Sequence, residues 1–241
     1  MKTFFISFGT THNYAHSLIR IRREAEEINM FDKIIIYNEN DFDDTFLKKH
    51  ENFMKNNKGY GYWIWKSYFI KKTFEIMQEG DILIYADCGC HLMNNLIAKN
   101  RLDTYIELCK TLPSGNIAFS MDFLEKSYTK METFVELNAN SDLMLNSGQL
   151  VGGIFLFKKC KRTYDLINMY YDSCQKYNLI DDFPSRIKND NTFKSHRHDQ
   201  SVFSIIRKKM GTTLISDNTW VADIFSQDAL SVPIIAARIR L

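Results

Sequence analysis

The turn Gly80-Asp81 leads at once into Ile82-Leu83-Ile84-Tyr85, and two residues later the chain reads Asp87-Cys88-Gly89-Cys90. This abrupt change from an apolar run to small and acidic residues constrains the fold more than any other stretch. A short apolar run bounded by turn signals reads as a buried strand. Upstream, Thr3 to Phe8 reads as a first strand, followed by a polar loop from Gly9 to Asn13. A helix comes next, with an apolar stripe at Tyr14, Leu18, Ile21, Ala25 and Ile28; steps of four and three put all five on one face. Lys33 to Tyr37 is then a second, β-branched strand. Strand, helix, strand at this spacing is a βαβ unit, with parallel strands and a right-handed crossover. In open α/β sheets ligands sit beyond the carboxyl ends of strands, so Asp87 beside Gly89 suits a metal-bound phosphate better than a core.

Composition narrows the class. A chain of 241 residues can bury one sizeable core, and a net charge of +2 supplies no electrostatic footprint for nucleic acid. Five cysteines, an odd number, at Cys88, Cys90, Cys109, Cys160 and Cys174 show no disulfide framework. Cys88 and Cys90 read as small buried residues, since one Cys-any-Cys pair without a second is a poor zinc signature. The N-terminal apolar run is too short to span a membrane and lacks a small-residue cleavage site, so no transmembrane segment and a cytoplasmic protein are expected.

In the second half, Asn116 to Ser120 and Leu150 to Phe157 read as strands, and Cys160 to Tyr177 and His198 to Lys209 as helices. Asp181 to Ser195 is polar, contains Pro184 and reads as a mobile loop. The expected architecture is a single α/β, Rossmann-like domain with a mostly parallel central sheet flanked by helices.

Four blocks, GYGYWIWKSYFI, GDILIYADCGC, GGIFLFKK with HRHDQSVFSII, and the terminal PIIAARIR, carry a family likeness in their order and spacing. The chain resembles the GT-A-type glycosyltransferases, in particular the small capsular or surface-glycan transferases of bacteria and large viruses. The resemblance implies a nucleotide-sugar donor, UDP-linked by expectation, and a glycan or lipid-linked glycan acceptor. It implies residence in the cytoplasm of a bacterium or of a virus-infected cell. It divides the domain into a nucleotide-sugar-binding half (1–115) and an acceptor-facing half (116–241). The common signature of these enzymes is Asp-any-Asp, and here Gly89 stands at the second acidic position.

Glycosyl transfer must neutralise charge building on a leaving diphosphate and place an acceptor hydroxyl against the anomeric carbon. A divalent cation, Mn²⁺ or Mg²⁺, is the common answer to the first task. Asp87 is the natural metal ligand or ribose contact, with a turn-capping carboxylate as the structural alternative. Because Gly89 brings no carboxylate, the metal would draw on the diphosphate, water and His198 as a further ligand. Asp199 stands as the second catalytic candidate; its alternative is an acid offsetting a helix dipole. Ser7, Gly9 and Thr10 end the first strand, where a nucleoside would bind. The resemblance sets Trp65 and Lys66 beside the donor, the ammonium paired with a phosphate. It sets Gln149, Gly152 and Gly153 along the donor sugar, where paired glycines equally fit a β-bulge. It places Arg238 on the diphosphate oxygens. Glu125 and Lys130 are lesser candidates. The rival to an enzyme is a nucleotide- or glycan-binding module that kept the fold and lost catalysis, and Gly89 is the residue favouring it.

Overall fold

The computed structural model describes residues 1–55 and 58–237. Seven strands form the main sheet: β1 (Thr3–Phe8), β2 (Lys33–Tyr37), β3 (Ile82–Ala86), β5 (Asn116–Leu124), β6 (Gly148–Leu150), β7 (Ile154–Lys158) and β8 (Thr213–Ser216). A small second sheet pairs β4 (His91–Leu92) with β9 (Ile234–Ile235). β1, β2 and β3 are parallel, β7 runs against β3, and β5 runs against β7. β8 is parallel to β5 and β6 antiparallel to it. Five strands therefore point one way and two the other, and the α/β architecture with a mostly parallel sheet is the one observed.

The strand side chains alternate between two cores, as a period of two demands. Phe4, Ile6, Phe8, Leu83, Tyr85, Phe155 and Phe157 enter one core, under helices Ile64–Ile76, Lys161–Cys174 and His198–Met210. Phe5, Ile82, Ile84, Ala86, Ile154 and Leu156 enter the other, covered by helices Thr11–Ile28 and Leu96–Thr111. Each fully buried Phe contributes about 1.5–3 kcal/mol, so the sheet is clamped from both faces. The stripe Leu18, Ile21, Ala25 and Ile28 is buried as expected. Its helix begins at Thr11, where the Glu39 carboxylate accepts the Thr11 N–H at 2.8 Å in place of a local cap.

Two sequence expectations are refined. The run from Leu150 to Phe157 is two strands, β6 and β7, lying along the same strand β5. Between the pairs Ser120↔Leu150 and Ile117↔Leu156, β5 advances three residues and its partner six. The surplus is the kink Val151–Gly153, which carries Gly153 toward β3, where its carbonyl accepts the Asp87 N–H at 2.9 Å. The loop 181–195 has no regular element, and it is tied to the neighbouring 127–132 segment. Lys130 Nζ donates to Asp181 Oδ1 (2.8 Å), Met131 N to Asn189 Oδ1 (2.8 Å) and Lys194 N to Ser127 O (2.8 Å). No helix among the described residues is long and apolar enough to cross a membrane.

Candidate functional site

Asp87 leaves the carboxyl end of β3 in a tight turn closed by the Cys90 N–H on the Asp87 carbonyl (2.8 Å). Gly89 sits inside that turn. The turn is pinned from behind by Arg20, whose guanidinium donates to the Cys88 carbonyl (2.7 Å) and the Cys90 carbonyl (2.8 Å) while pairing with Glu24 at 2.8 Å. Burial pushes the Cys88 thiol up to about 12 and the Cys90 thiol well above its usual range. Both are the small buried residues expected, and neither is a ready thiolate.

The Asp87 side chain is 39% exposed, and its Oδ1 accepts the Tyr85 hydroxyl and lies 3.2 Å from Lys66 Nζ. Lys66 is only 3% exposed. Its ammonium donates to the Gly152 carbonyl at 2.8 Å and lies 3.3 Å from Asp199 Oδ2. Asp199, 5% exposed, also accepts the Tyr170 hydroxyl at 3.1 Å. One buried cation thus joins two carboxylates, and each carboxylate takes a tyrosine hydroxyl. Burial raises the Asp199 carboxyl to about 6, against the opposing pull of Lys66. Burial likewise holds the Tyr85 and Tyr170 hydroxyls well above their ordinary range, so both remain donors.

The paired glycines make room for this assembly. A Cβ on Gly153 would stand 2.9 Å from Asp87 Oδ2, and one on Gly152 would stand 2.6 Å from Gln200 Cβ. The close neighbours of both glycines are protein side chains, and their setting is the bulge between β6 and β7. Gln149 is wholly buried. Its Oε1 accepts Gln200 Nε2 (2.9 Å) and Arg197 Nη1 (3.2 Å), and its Nε2 faces Thr129 Oγ1 (3.2 Å) and Ser201 Oγ (3.3 Å). The amide orients Gln200 and Arg197. Lys66 departs from its expectation in the same way, because its three contacts are internal.

At the end of β1, the hydroxyls of Ser7 and Thr10 are buried with no hydrogen-bond partner among the described residues. Both oxygens are closed to solvent, so neither hydroxyl presents a surface to a ligand in this structure. Gly9 owes its small size to packing: a Cβ there would meet Cys88 Sγ and Tyr14 Cβ at 3.0 Å. Trp65 is core, its ring tilted against Phe8 with centroids 4.1 Å apart and its Nε1 on the Gly59 carbonyl at 2.8 Å. Glu125 is buried and paired with Lys208 at 2.8 Å.

The glycine-aromatic block preceding Lys66 is a left-handed turn. Gly59, Tyr60, Gly61, Tyr62 and Trp63 all have positive φ, between 51° and 81°. The hydrogen bonds Tyr62 N to Lys58 O (2.9 Å) and Trp63 N to Gly59 O (3.1 Å) close it. Three of the five residues carry side chains, each costing roughly 1–2 kcal/mol in this conformation. Such strain persists where surrounding contacts hold it. Here Trp63 stacks on His198 at 5.1 Å, and Tyr62 lies tilted against it at 5.2 Å. His198 itself has φ 50°. Its Nδ1 donates to the Ile180 carbonyl (2.8 Å), its Nε2 lies 3.6 Å from Asp182 Oδ1, and burial lowers its pKa.

Among the described residues, no group of three or more His, Cys, Asp and Glu is arranged to hold a metal ion. The ammonium beside Asp87 Oδ1 repels a cation from that oxygen, so of this carboxylate only Oδ2 could face one. His198 is turned toward Ile180 and Asp182, so Asp87 and His198 are not gathered into one centre. Arg238 lies outside the described residues.

Reading the residues one by one missed Tyr85, Tyr170 and Arg20 as parts of the site. Arg20 and Glu24 stand four apart on one helix face, a spacing that could have flagged them. The tyrosines carry no such local signal. A cavity of about 400 Å³ lined by Glu75, Glu79, Lys159, Cys160, Lys161 and Tyr164 adjoins the opposite end of β3, away from Asp87.

No family model matches the chain, and no curated protein matches it in sequence. Among solved structures it is similar to a glycosyltransferase involved in glycosylation of the major capsid of PBCV-1, with 10% identity and a TM-score of 0.49, covering 98% of this chain and 94% of that one. It is also similar to mouse xyloside xylosyltransferase 1 in its apo form, with 14% identity and a TM-score of 0.44, covering 97% and 96%. A third likeness is to mannose-6-phosphate isomerase from Helicobacter pylori, with 12% identity and a TM-score of 0.40, covering 73% and 79%. The functional reading therefore rests on the chain's own residues.

Proposed function

We propose that this chain is a glycosyltransferase that moves a monosaccharide from a nucleotide-sugar, a UDP-sugar in our reading, to a hydroxyl of a surface glycan or glycoconjugate. One observation carries the proposal. Lys66, Asp87, Gly152 and Asp199 come from the separate sequence blocks behind the family resemblance, and they meet within 3.3 Å of a single buried ammonium at the carboxyl end of β3.

In this reading Asp87 is the donor-facing carboxylate, since it is the exposed member of the cluster. Its Oδ2 would accept a ribose hydroxyl or hold the divalent cation. With one protein ligand the cation would depend on the diphosphate and water for the rest of its coordination. Lys66 and the Tyr85 hydroxyl fix the Asp87 carboxylate before the donor arrives, which lowers the reorganisation needed at the reacting centre. Asp199 is enclosed, so its contribution passes through Lys66 and the helix it begins. Ser7 and Thr10, at the end of β1, lie in this reading on the nucleoside side, behind the surface.

The test is a melting-temperature panel of nucleotide-sugars with and without Mn²⁺, followed by release of UDP from the stabilising donor. Stabilisation and turnover by the wild type, with both lost in a folded Asp87→Ala variant, are expected. Stabilisation without any turnover would identify a binding module instead. Wild-type turnover in Asp87→Ala would remove Asp87 from the site.

A further inference from the structure

β5 pairs with β6 at Ser120↔Leu150 and Leu124↔Gly148, so β5 advances four residues where β6 advances two. The two extra residues bulge outward over Gly148, where a Cβ would meet the Met121 carbonyl at 2.2 Å. Bulges at sheet margins re-aim side chains. This one turns out Phe123, which is 48% exposed. A single exposed apolar side chain is ordinary, but this ring is supported. It packs edge-on against Tyr128, with centroids 5.4 Å apart at 69°. The Arg197 guanidinium lies over both rings, 4.8 Å from Phe123 and 3.9 Å from Tyr128.

The platform is continuous with the donor side. Arg197 and Gln200 share the Gln149 Oε1. Gln200 packs on Gly152, and the next residue, Gly153, packs on Asp87. A contact path therefore runs from the donor-facing carboxylate to the exposed ring, all on residues beyond 115 except Asp87 itself.

We propose that Phe123, backed by Tyr128 and Arg197, is the acceptor platform, on which a pyranose ring of the glycan stacks. One face of a pyranose is mostly C–H and is driven onto an aromatic face by loss of apolar area to water. Arg197, 3.9 Å from the Tyr128 centroid with Nη1 on Gln149, holds the aromatic pair in place from behind. The proposal rests on the transfer reading for calling this glycan the acceptor, and its binding test is independent of turnover.

The test is saturation-transfer NMR on the intact chain with the methyl glycosides of glucose, galactose, mannose, N-acetylglucosamine and xylose. Transfer to the ring C–H protons of at least one glycoside is expected, falling at least about fivefold in Phe123→Ser and persisting in Phe123→Trp. Melting temperature and UDP affinity should be unchanged in both variants, since Phe123 lies outside the donor cluster. Absence of transfer to every glycoside, or undiminished transfer in Phe123→Ser, overturns the platform. The donor reading fails on a different measurement, the UDP-sugar melting panel, so the two failures are separable.

Discussion

Replacing Lys66 by Met tests the buried charge cluster quantitatively. The ammonium lies 3.2 Å from Asp87 and 3.3 Å from Asp199, and it is the main influence lowering an Asp199 carboxyl that burial has raised to about 6. Breaking a buried pair from one side costs about 3–5 kcal/mol, because the remaining charge is left without compensation. Asp199 can escape part of that cost by binding a proton, so the cost must depend on pH. Its folded pKa is raised above the unfolded value, so its favourable contribution is full below about 4 and is lost as pH rises through the folded pKa. In the wild type that loss is complete a little above pH 6. In Lys66→Met the folded pKa rises further, and the loss continues upward at about 1.4 kcal/mol per pH unit. The destabilisation of the variant should therefore be flat below about pH 5.5 and grow by about 1.4 kcal/mol for each unit above 6. Urea unfolding of both proteins between pH 5 and 8 measures this, with the slope on denaturant checked for constancy. The double variant Lys66→Met/Asp199→Asn should lose the growth. A destabilisation independent of pH, or growth surviving in the double variant, would refute the argument.

Three more outcomes are expected. Gly153→Ala puts a methyl 2.9 Å from Asp87 Oδ2, so donor turnover should fall at least about tenfold, ~1.4 kcal/mol in the barrier, with little change in unfolding midpoint; wild-type kinetics would show that the carboxylate's position is immaterial. Gly59→Ala combines a φ of +59° with a Cβ 2.5 Å from the Trp63 ring, and should cost about 2–5 kcal/mol in chemical denaturation, a loss under about 1 kcal/mol contradicting the strain assigned to the left-handed turn. Calorimetric titration with Mn²⁺ should show weak binding to the free chain and stronger binding with UDP, because in the proposed reading Asp87 Oδ2 would be the one ligand among the described residues; tight binding without nucleotide would point to a metal centre elsewhere.

The residues alone determined the layers and singled out the candidate site. The apolar runs in Thr3–Phe8 and Ile82–Tyr85, and the stripe from Leu18 to Ile28, are local signals: a short run apolar on both faces marks an interior strand, and a stripe marks the buried face of a helix. They sufficed to place Asp87 at a strand end and Asp199 at a helix start. Tertiary structure decided what the side chains there do. Lys66 looks in sequence like a cation available to a phosphate, yet the rotation of its helix turns the ammonium inward to residues 21 and 133 positions away. The glycine pair at 152 and 153 looks like a place for a ligand, yet a register slip between β6 and β7 fills that space with Asp87 and Gln200. His198 is one residue from Asp199, but a left-handed backbone sends its ring to Ile180 and Trp63. Periodicity is written along the chain, whereas these three outcomes depend on helix rotation, strand register and one backbone torsion, which contacts between distant segments set.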